Sequence, residues 1–294
     1  MKKWNLEAVK LCGEQWKEAM AHTENFSAEI RSKRAVDSHA DRTVESFEKG
    51  MGSSAERVED TMKRLEERGY RKMDMTILDV GGGTGTFTLP FAREYRQVDT
   101  LDISVPMQQR IREKAAKEQL ENIRYLCKNW HTLDVEREGM KKQYDLVLSS
   151  INCRGIYNAE TLHKMNQCSR GGCCLLTWAG QSRSSHGKNL QEIILGRTLE
   201  TAGGNDIIFP FQMIYHMGGR PDLNYSRVAW SRGMEPEEAV SEICSSYWRF
   251  ADITEGKKEE IRSYVYEHLE EGRFVERVEH LIGIMVWDAW RIPF

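Results

Sequence analysis

The run Thr76-Ile-Leu-Asp-Val-Gly-Gly-Gly-Thr-Gly-Thr-Phe-Thr-Leu-Pro90 places the tightest constraint on how this chain can fold. A short apolar strand carries an acid at Asp79, glycines stand at positions 81, 82, 83 and 85, and a helix start follows. A backbone that bends this sharply and presses against a ligand needs residues without a Cβ. The amides of a helix start beyond such a bend can hold a polar group. The run therefore reads as a cofactor-binding turn.

Spacing narrows the cofactor. The dinucleotide fingerprint requires Gly-x-Gly-x-x-Gly, but counting from Gly81 puts Thr86 at the third glycine and counting from Gly83 puts Thr88 there. What stands instead is Asp79-x-Gly81-x-Gly83-x-Gly85. This closely resembles the first motif of the class I S-adenosylmethionine-dependent methyltransferases of small-molecule type. The resemblance implies a glycine turn beneath the methionine and ribose parts of the cofactor, with Asp79 organising the methionyl amino end.

Further segments follow in the order that family requires. Gln97 to Ile103 reads as a second strand ending in Asp102, 23 residues after Asp79, with Ser104 as a helix cap and Met107, Ile111 and Ala115 on one helical face. An acid there can accept hydrogen bonds from both ribose hydroxyls; it can equally be a loop charge or a cap. Ile123 to Trp130 reads as a third strand ending in Asn129 and Trp130. The family often has an acid facing the adenine amino group at this place, and Asn129 offers a carboxamide oxygen instead. Trp130 is either an apolar wall for the adenine or core. The resemblance thus assigns cofactor contacts to Asp79, Gly81, Gly83, Gly85, Asp102, Ile103, Met107, Asn129, Trp130 and Ser149.

The fourth strand, Tyr144 to Ser150, is nearly continuously apolar, as a parallel strand covered on both faces requires. Its end reads Ser149-Ser-Ile-Asn-Cys-Arg-Gly155. Family members acting on exocyclic amino groups of bases or on protein glutamine usually carry an Asn/Asp/Ser-Pro-Pro-aromatic run here. Its absence argues against those acceptors and leaves Ser150, Asn152 and Arg154 to line an acceptor pocket or to satisfy local backbone. Gly172 to Trp178 makes a fifth strand. The resemblance covers residues 74–180 and implies a doubly wound, mostly parallel seven-stranded α/β sheet with its last strand antiparallel beside the fifth. Residues 273–287 fit that strand, and Asn224 to Arg232 its neighbour.

Two additions flank this core: an N-terminal helical cap over residues 1–70, and a helical insertion at about 233–272 inside a methyltransferase domain spanning 71–294. In the first, Trp4, Ala8 and Leu11 share a helical face, as do Val58, Met62 and Leu65. Val36 to Thr43 and Gly50 to Ser54 read as connectors, and in resembling enzymes this segment folds over the cofactor pocket. His39, Asp41 and Arg42 then approach the methionine end or the acceptor, or are ordinary surface residues. In the second, Val240, Ile243, Cys244 and Tyr247 recur at helical spacing, followed by Ile261, Tyr264, Val265 and Leu269. Phe209 to His216 offers aromatic groups as a wall for the acceptor.

Composition excludes several classes. Net charge is −3 with acidic and basic residues interleaved, so there is no broad electrostatic footprint for nucleic acid, a basic groove assembled in three dimensions being the alternative. Arg31 to Arg34 and Lys141-Lys142 read as solvated surface. No stretch approaches the ~20 apolar residues of a membrane span, and the start lacks the apolar core of a signal peptide, so the chain is expected in the cytoplasm. Seven cysteines form no Cys-x-x-Cys pair, and the eight histidines show no metal-binding spacing. Cys173 and Cys174 should face opposite sides of the fifth strand.

The expectation is an enzyme that moves the methyl group of S-adenosylmethionine to a small or medium-sized acceptor. His39, His163, His186 and His216 are the groups available near neutrality as a base; the sequence does not rank them. Two rivals stand beside it: a nucleotide-dependent oxidoreductase, disfavoured by the glycine spacing, and a non-catalytic regulatory protein that binds S-adenosylmethionine or S-adenosylhomocysteine. Acceptor identity and oligomeric state are not legible in the residues.

Overall fold

The computed structural model describes residues 6–22, 44, 48, 55–151, 155–180, 182–198, 203–247 and 251–289. Elements in chain order are α1 (Leu6–His22), α2 (Ala55–Glu67), β1 (Thr76–Val80), α3 (Thr88–Glu94), β2 (Gln97–Leu101), α4 (Val105–Lys117), β3 (Ile123–Leu126), β4 (Tyr144–Ser150) and α5 (Ala159–Cys168). Then come β5 (Ser169–Trp178), β6 (Arg183–Ser184), α6 (Gly187–Leu195), α7 (Ile208–His216), β7 (Asp222–Met234), α8 (Pro236–Tyr247), α9 (Glu255–Glu267), β8 (Leu269–Glu270) and β9 (Arg273–Asp288). The chain divides into two compact units, one of Met1–Gly180, Ala202–Val228 and Leu281–Phe294, the other of Gln181–Thr201 and Ala229–His280.

In the first unit the strands lie in the order β3-β2-β1-β4-β5-β9. β1 to β5 are parallel, and β9 is antiparallel to β5 from Gly172↔Asp288 to Trp178↔Ile282. Strand alternation sorts the core into two layers. Leu78, Val80, Val147, Cys173, Leu175, Met285 and Trp287 pack on one face. Ile77, Leu146, Leu148, Cys174, Leu176, Ile284 and Val286 pack on the other, against Met62 and Leu65 of α2 and Phe91 of α3. Cys173 and Cys174 thus point opposite ways.

The strand number corrects the expectation of seven: among the described residues the sheet has nine, several of them antiparallel. β9 is 16 residues long, and β5 matches only the seven from Ile282 to Asp288. The remainder presents backbone donors and acceptors that need partners. The two-residue strands β6 and β8 take some of them, and β7 also pairs with β9. No helix among the described residues is long and apolar enough to cross a membrane.

Two polar contacts set the direction of α2. Just past its C-terminal end, Arg68 bonds to Asp222 at 2.6 Å and to Asp288 at 3.1 Å. Nearer its start, Asp60 accepts from the Ser226 hydroxyl at 2.5 Å. The helix therefore runs antiparallel to β7, and its first turn lies toward the C-terminal edge of the parallel strands. α1 also belongs to this unit, since Trp16 Nε1 donates to the Gly204 carbonyl at 2.7 Å.

The second unit has its own core, with Leu190 and Ile194 of α6, Val240 of α8, Ile261 and Val265 of α9, and Phe274. β8 and β9 form a hairpin whose two loop residues, Glu271 at φ 48° and Gly272 at φ 81°, have the positive φ pair of a type I′ turn.

Candidate functional site

The C-terminal edge of the parallel strands, where open α/β sheets carry their ligands, is built around the glycine turn. Gly81, Gly83 and Gly85 have φ of 78°, 54° and 92°, values that L side chains rarely adopt. The turn is fastened to the end of β2: Gly81 N–H donates to the Leu101 carbonyl at 2.7 Å, and Gly83 N–H to Asp102 Oδ2 at 2.9 Å. Gly82 is required for a different reason. A Cβ there would lie 2.1 Å from the buried Thr100 hydroxyl.

Asp79 lies beneath this turn, 2 % exposed, and accepts from the Thr88 hydroxyl at 2.6 Å, which in turn lies 3.1 Å from Thr100 Oγ1. Burial is the main cause that pushes its pKa up to about 6; the nearby Asp102 charge adds to the rise and the Thr88 bond opposes it.

Asp102 is half-buried and bridges two segments. Its Oδ2 holds the Gly83 amide, while Oδ1 accepts from the Ser104 amide at 2.8 Å. Burial raises its pKa against these backbone bonds. Ser104 caps α4 through the Met107 amide, as its place in the sequence implies. Gln108, a polar group on the buried side of α4, donates to the carbonyls of Asp102 and Leu126 at 3.0 and 2.8 Å, which joins the ends of β2 and β3. Beside Asp102, Ile103 is 53 % exposed, an apolar surface with no core to cover it; Met107 is buried.

β3 ends at Leu126, short of the expected Trp130. Asn129 Oδ1 accepts from the His131 amide at 2.9 Å, so the carboxamide oxygen closes its own turn. Trp130 is 4 % exposed, belongs to the core and donates Nε1–H to the Thr161 carbonyl at 3.1 Å. The loop is held from below by buried Lys164, which donates to the carbonyls of Trp130 and His131. His131 packs on Tyr157 with ring centroids 4.8 Å apart.

At the end of β4, Ser149 is buried and donates to the Val80 carbonyl at 2.8 Å, tying β4 to the strand that leads into the glycine turn. Ser150 is half-buried. Ile151 has φ 48°, an outlier for a β-branched residue at a strand end that carries function in this architecture. Asn152, Arg154, His39, Asp41, Arg42 and Trp4 lie outside the described residues, as do the basic run at 31–34 and the connectors at 36–43 and 50–54.

Of the remaining histidines, His186 is committed to the second unit's core. Its Nδ1 is 3.0 Å from the Tyr264 hydroxyl, its Nε2 is 3.2 Å from the Val275 carbonyl, and burial lowers its pKa. His163 is half-buried on α5, with its pKa lowered by burial. His216 ends α7, on which Phe209 and Phe211 pack against the core and Tyr215 is exposed.

Two charged features escaped the sequence reading. Lys114 on α4 donates to the Thr84 carbonyl of the glycine turn at 3.1 Å and pairs with Glu48 at 2.5 Å; Arg110 pairs with Glu48 at 2.8 Å. These bonds, chiefly that from Arg110, hold the Glu48 carboxyl down to about 2. Arg57, in the first turn of α2, is 2 % exposed and forms no ion pair or hydrogen bond through its guanidinium among the described residues. Its one sequence signal is its place four residues before Thr61 and eight before Leu65, on the helix's buried stripe.

Residues 77–171 match a family model described as a methyltransferase domain. No curated protein shows significant sequence similarity to the chain. Among solved structures, a candidate methyltransferase from Bacillus halodurans matches with a TM-score of 0.52 at 13 % identity, over 78 % of this chain and 98 % of its own. A SAM-dependent methyltransferase from Aquifex aeolicus gives 0.43 at 14 % identity, over 76 % of this chain and 89 % of its own. Geranyl diphosphate C-methyltransferase from Streptomyces coelicolor gives 0.43 at 11 % identity, over 79 % and 76 %.

Proposed function

We propose that residues 77–171, which match a methyltransferase-domain model, form a class I, S-adenosylmethionine-dependent methyltransferase domain and that the protein methylates a small or medium-sized acceptor at the C-terminal edge of β1, β2 and β4. The observation that carries this reading is the position of Asp102. Its carboxylate is fixed by one backbone amide on each oxygen, Gly83 on one side and Ser104 on the other. A carboxylate has about four lone-pair sites, so each oxygen keeps capacity for a ribose hydroxyl.

The surrounding residues fit an adenosyl ligand. Gly81, Gly83 and Gly85 hold a bend that substituted residues disfavour, and the exposed Ile103 beside Asp102 offers an apolar surface for a base. Met107, Ser149, Asn129 and Trp130 support this edge from behind. Asp79 is engaged with Thr88, so its part in the site is exerted through the turn above it.

S-adenosylmethionine held there by the glycine turn and Asp102 would supply a sulfonium methyl group for in-line displacement, its carbon–sulfur bond breaking as the acceptor's lone pair bonds to carbon and neutral S-adenosylhomocysteine being left. The chain's task is to hold, align and keep dry. Alignment alone is worth up to ~7–11 kcal/mol in well-oriented reactions. The glycine turn and Asp102 fix one reactant against the rigid ends of β1 and β2, and the end of β4, with Ser150 and the strained Ile151, faces the place where the second enters. The missing Pro-Pro-aromatic run supports an acceptor other than a nucleic-acid base.

The test has two parts. Calorimetry should show S-adenosylhomocysteine binding by the wild type and its loss in Asp102→Ala. Labelled methyl transfer into fractionated cell extract should mark an acceptor with the wild type alone. Binding without transfer to any fraction would leave a binding protein, and no binding at all would end the reading.

A further inference from the structure

Arg57 is a buried cation without an anion among the described residues. At 2 % exposure it lies on the stripe of α2 that includes Thr61, Met62 and Leu65. Its Nε has no hydrogen-bond acceptor and its guanidinium pairs with no carboxylate among the described residues. Burial alone acts on its pKa, downward, with no opposing charge. Asp60, one turn along the same helix, accepts instead from Ser226. A guanidinium does not escape burial by losing its proton, so leaving it unpaired in the interior is costly. Such a residue persists where something else gains from it.

Its height in the fold locates that gain. Arg68 binds Asp288, and Asp288, Gly172, Leu146 and Ile77 are register partners across β9, β5, β4 and β1. Arg68 therefore marks the level of Ile77. From there the strand needs about 13 Å to reach Gly81 at ~3.3 Å per residue. Along α2, the 11 positions back to Arg57 span about 16 Å at ~1.5 Å per residue. The spacing of Arg68–Asp222 and Asp60–Ser226 checks this scale, since the intervals come to about 12 Å along the helix and about 13 Å along β7. Arg57 thus stands just beyond the level of the glycine turn, on the sheet face that Asp79 and Ser150 share by alternation with Ile77 and Leu148. Helical side chains lean toward the helix N-terminus, which carries the guanidinium toward the strand edge.

We infer that Arg57 receives an oxyanion, a carboxylate or phosphate carried by a small molecule bound at the C-terminal edge of the strands. The planar fork of arginine takes both oxygens of such a group at once. Two sources share this chemistry: the amino-acid carboxylate of the cofactor and an anionic group on the acceptor. The assignment rests on the strand edge being the ligand site proposed above, and its test separates the two claims.

Full-length wild type, Arg57→Met and Arg57→Lys are titrated with S-adenosylhomocysteine, with 5′-methylthioadenosine, which has the adenosyl group but no carboxylate, and with inorganic phosphate. If the anion is the cofactor's, Arg57→Met weakens S-adenosylhomocysteine about 30-fold and leaves 5′-methylthioadenosine unchanged. Arg57→Lys, which keeps charge but not the fork, falls between. If the anion is the acceptor's, both adenosyl ligands bind as before, and phosphate binding to the S-adenosylhomocysteine-loaded protein is lost. Unchanged affinities for all three probes, or equal weakening of both adenosyl ligands, overturn the inference. A wild type that binds no adenosyl ligand refutes the proposed function instead, and the phosphate titration then decides Arg57 by itself. Melting curves of the ligand-free proteins confirm folding; removal of an uncompensated buried charge is expected to raise the Tm of Arg57→Met by about 3 °C or more.

Discussion

The Asp102 carboxylate accepts the Gly83 amide at 2.9 Å, so the residue proposed to hold the ribose also anchors the glycine turn. The proposed function therefore couples ligand binding and local order through one side chain. Asp102→Asn keeps one acceptor oxygen but turns an NH2 toward the amide of either Gly83 or Ser104. That leaves a backbone donor without its partner, at about 1–3 kcal/mol. S-adenosylhomocysteine affinity should fall tenfold or more and the Tm by a few degrees, with Asp102→Ala worse in both. Calorimetry and thermal melts read this out; a variant with wild-type affinity removes Asp102 from the site.

Gly82 is absent from the Asp-x-Gly-x-Gly-x-Gly pattern, yet its Cα faces the Thr100 hydroxyl so closely that a Cβ would stand 2.1 Å away. Gly82→Ala should destabilise the protein by about 1–3 kcal/mol through overpacking. Thr100→Ala removes the obstructing hydroxyl, so the double variant should recover most of the loss. A double-mutant cycle in denaturant measures the coupling; strict additivity would show that the clash is relieved in some other way.

Asp79 titrates near 6 in the fold against 3.8 when free, because burial favours its neutral form. A carboxyl whose folded pKa is raised contributes stability that is full below about pH 4 and is lost as pH rises through 6. That rise corresponds to at most about 3 kcal/mol. Asp79→Asn keeps an acceptor for Thr88 without the charge. The ligand-free variant should equal or trail the wild type at pH 4 and exceed it at pH 7. Parallel stability curves over that range would contradict the buried-charge account.

Glu48 shows the opposite sign. Arg110 and Lys114 hold it near 2, so its contribution is present above its ordinary value of 4.5 and fades as pH falls toward 2. The pair is partly exposed, and screening limits it to about 1 kcal/mol. Glu48→Gln should cost that much at pH 7, with the gap closing from pH 5 downward and narrowing in 0.5 M salt. A gap that ignores both pH and salt would point to packing.

Much of the core was legible because its determinants are local. The apolar runs at 76–80 and 144–150, the glycine positions, the Ser104 cap and the opposite faces of Cys173 and Cys174 follow from backbone geometry acting over a few residues. Asn129 and Trp130 show where that reasoning runs short. Residue type left each open to two uses, and only the packed chain shows that the Asn129 oxygen accepts from its own turn, with one lone pair remaining, and that Trp130 lies in the core bonded to Thr161, 31 positions away. The count of strands failed for a similar reason: two-residue strands have no periodicity to read and exist only because β9 offers them an edge.

What the chain's order of residues determined alone is the cofactor-type turn, the acid at 102 and the alternation that makes a parallel sheet, since these depend on φ preferences and periodicity that neighbouring residues settle among themselves. Tertiary structure decided which polar groups ended up satisfied. Gln108 found two carbonyls, His186 a tyrosine in a separate core, and the Arg57 guanidinium no carboxylate among the described residues. Whether a buried charge meets a partner depends on segments brought together from far along the chain, and burial itself is a property of the packed whole.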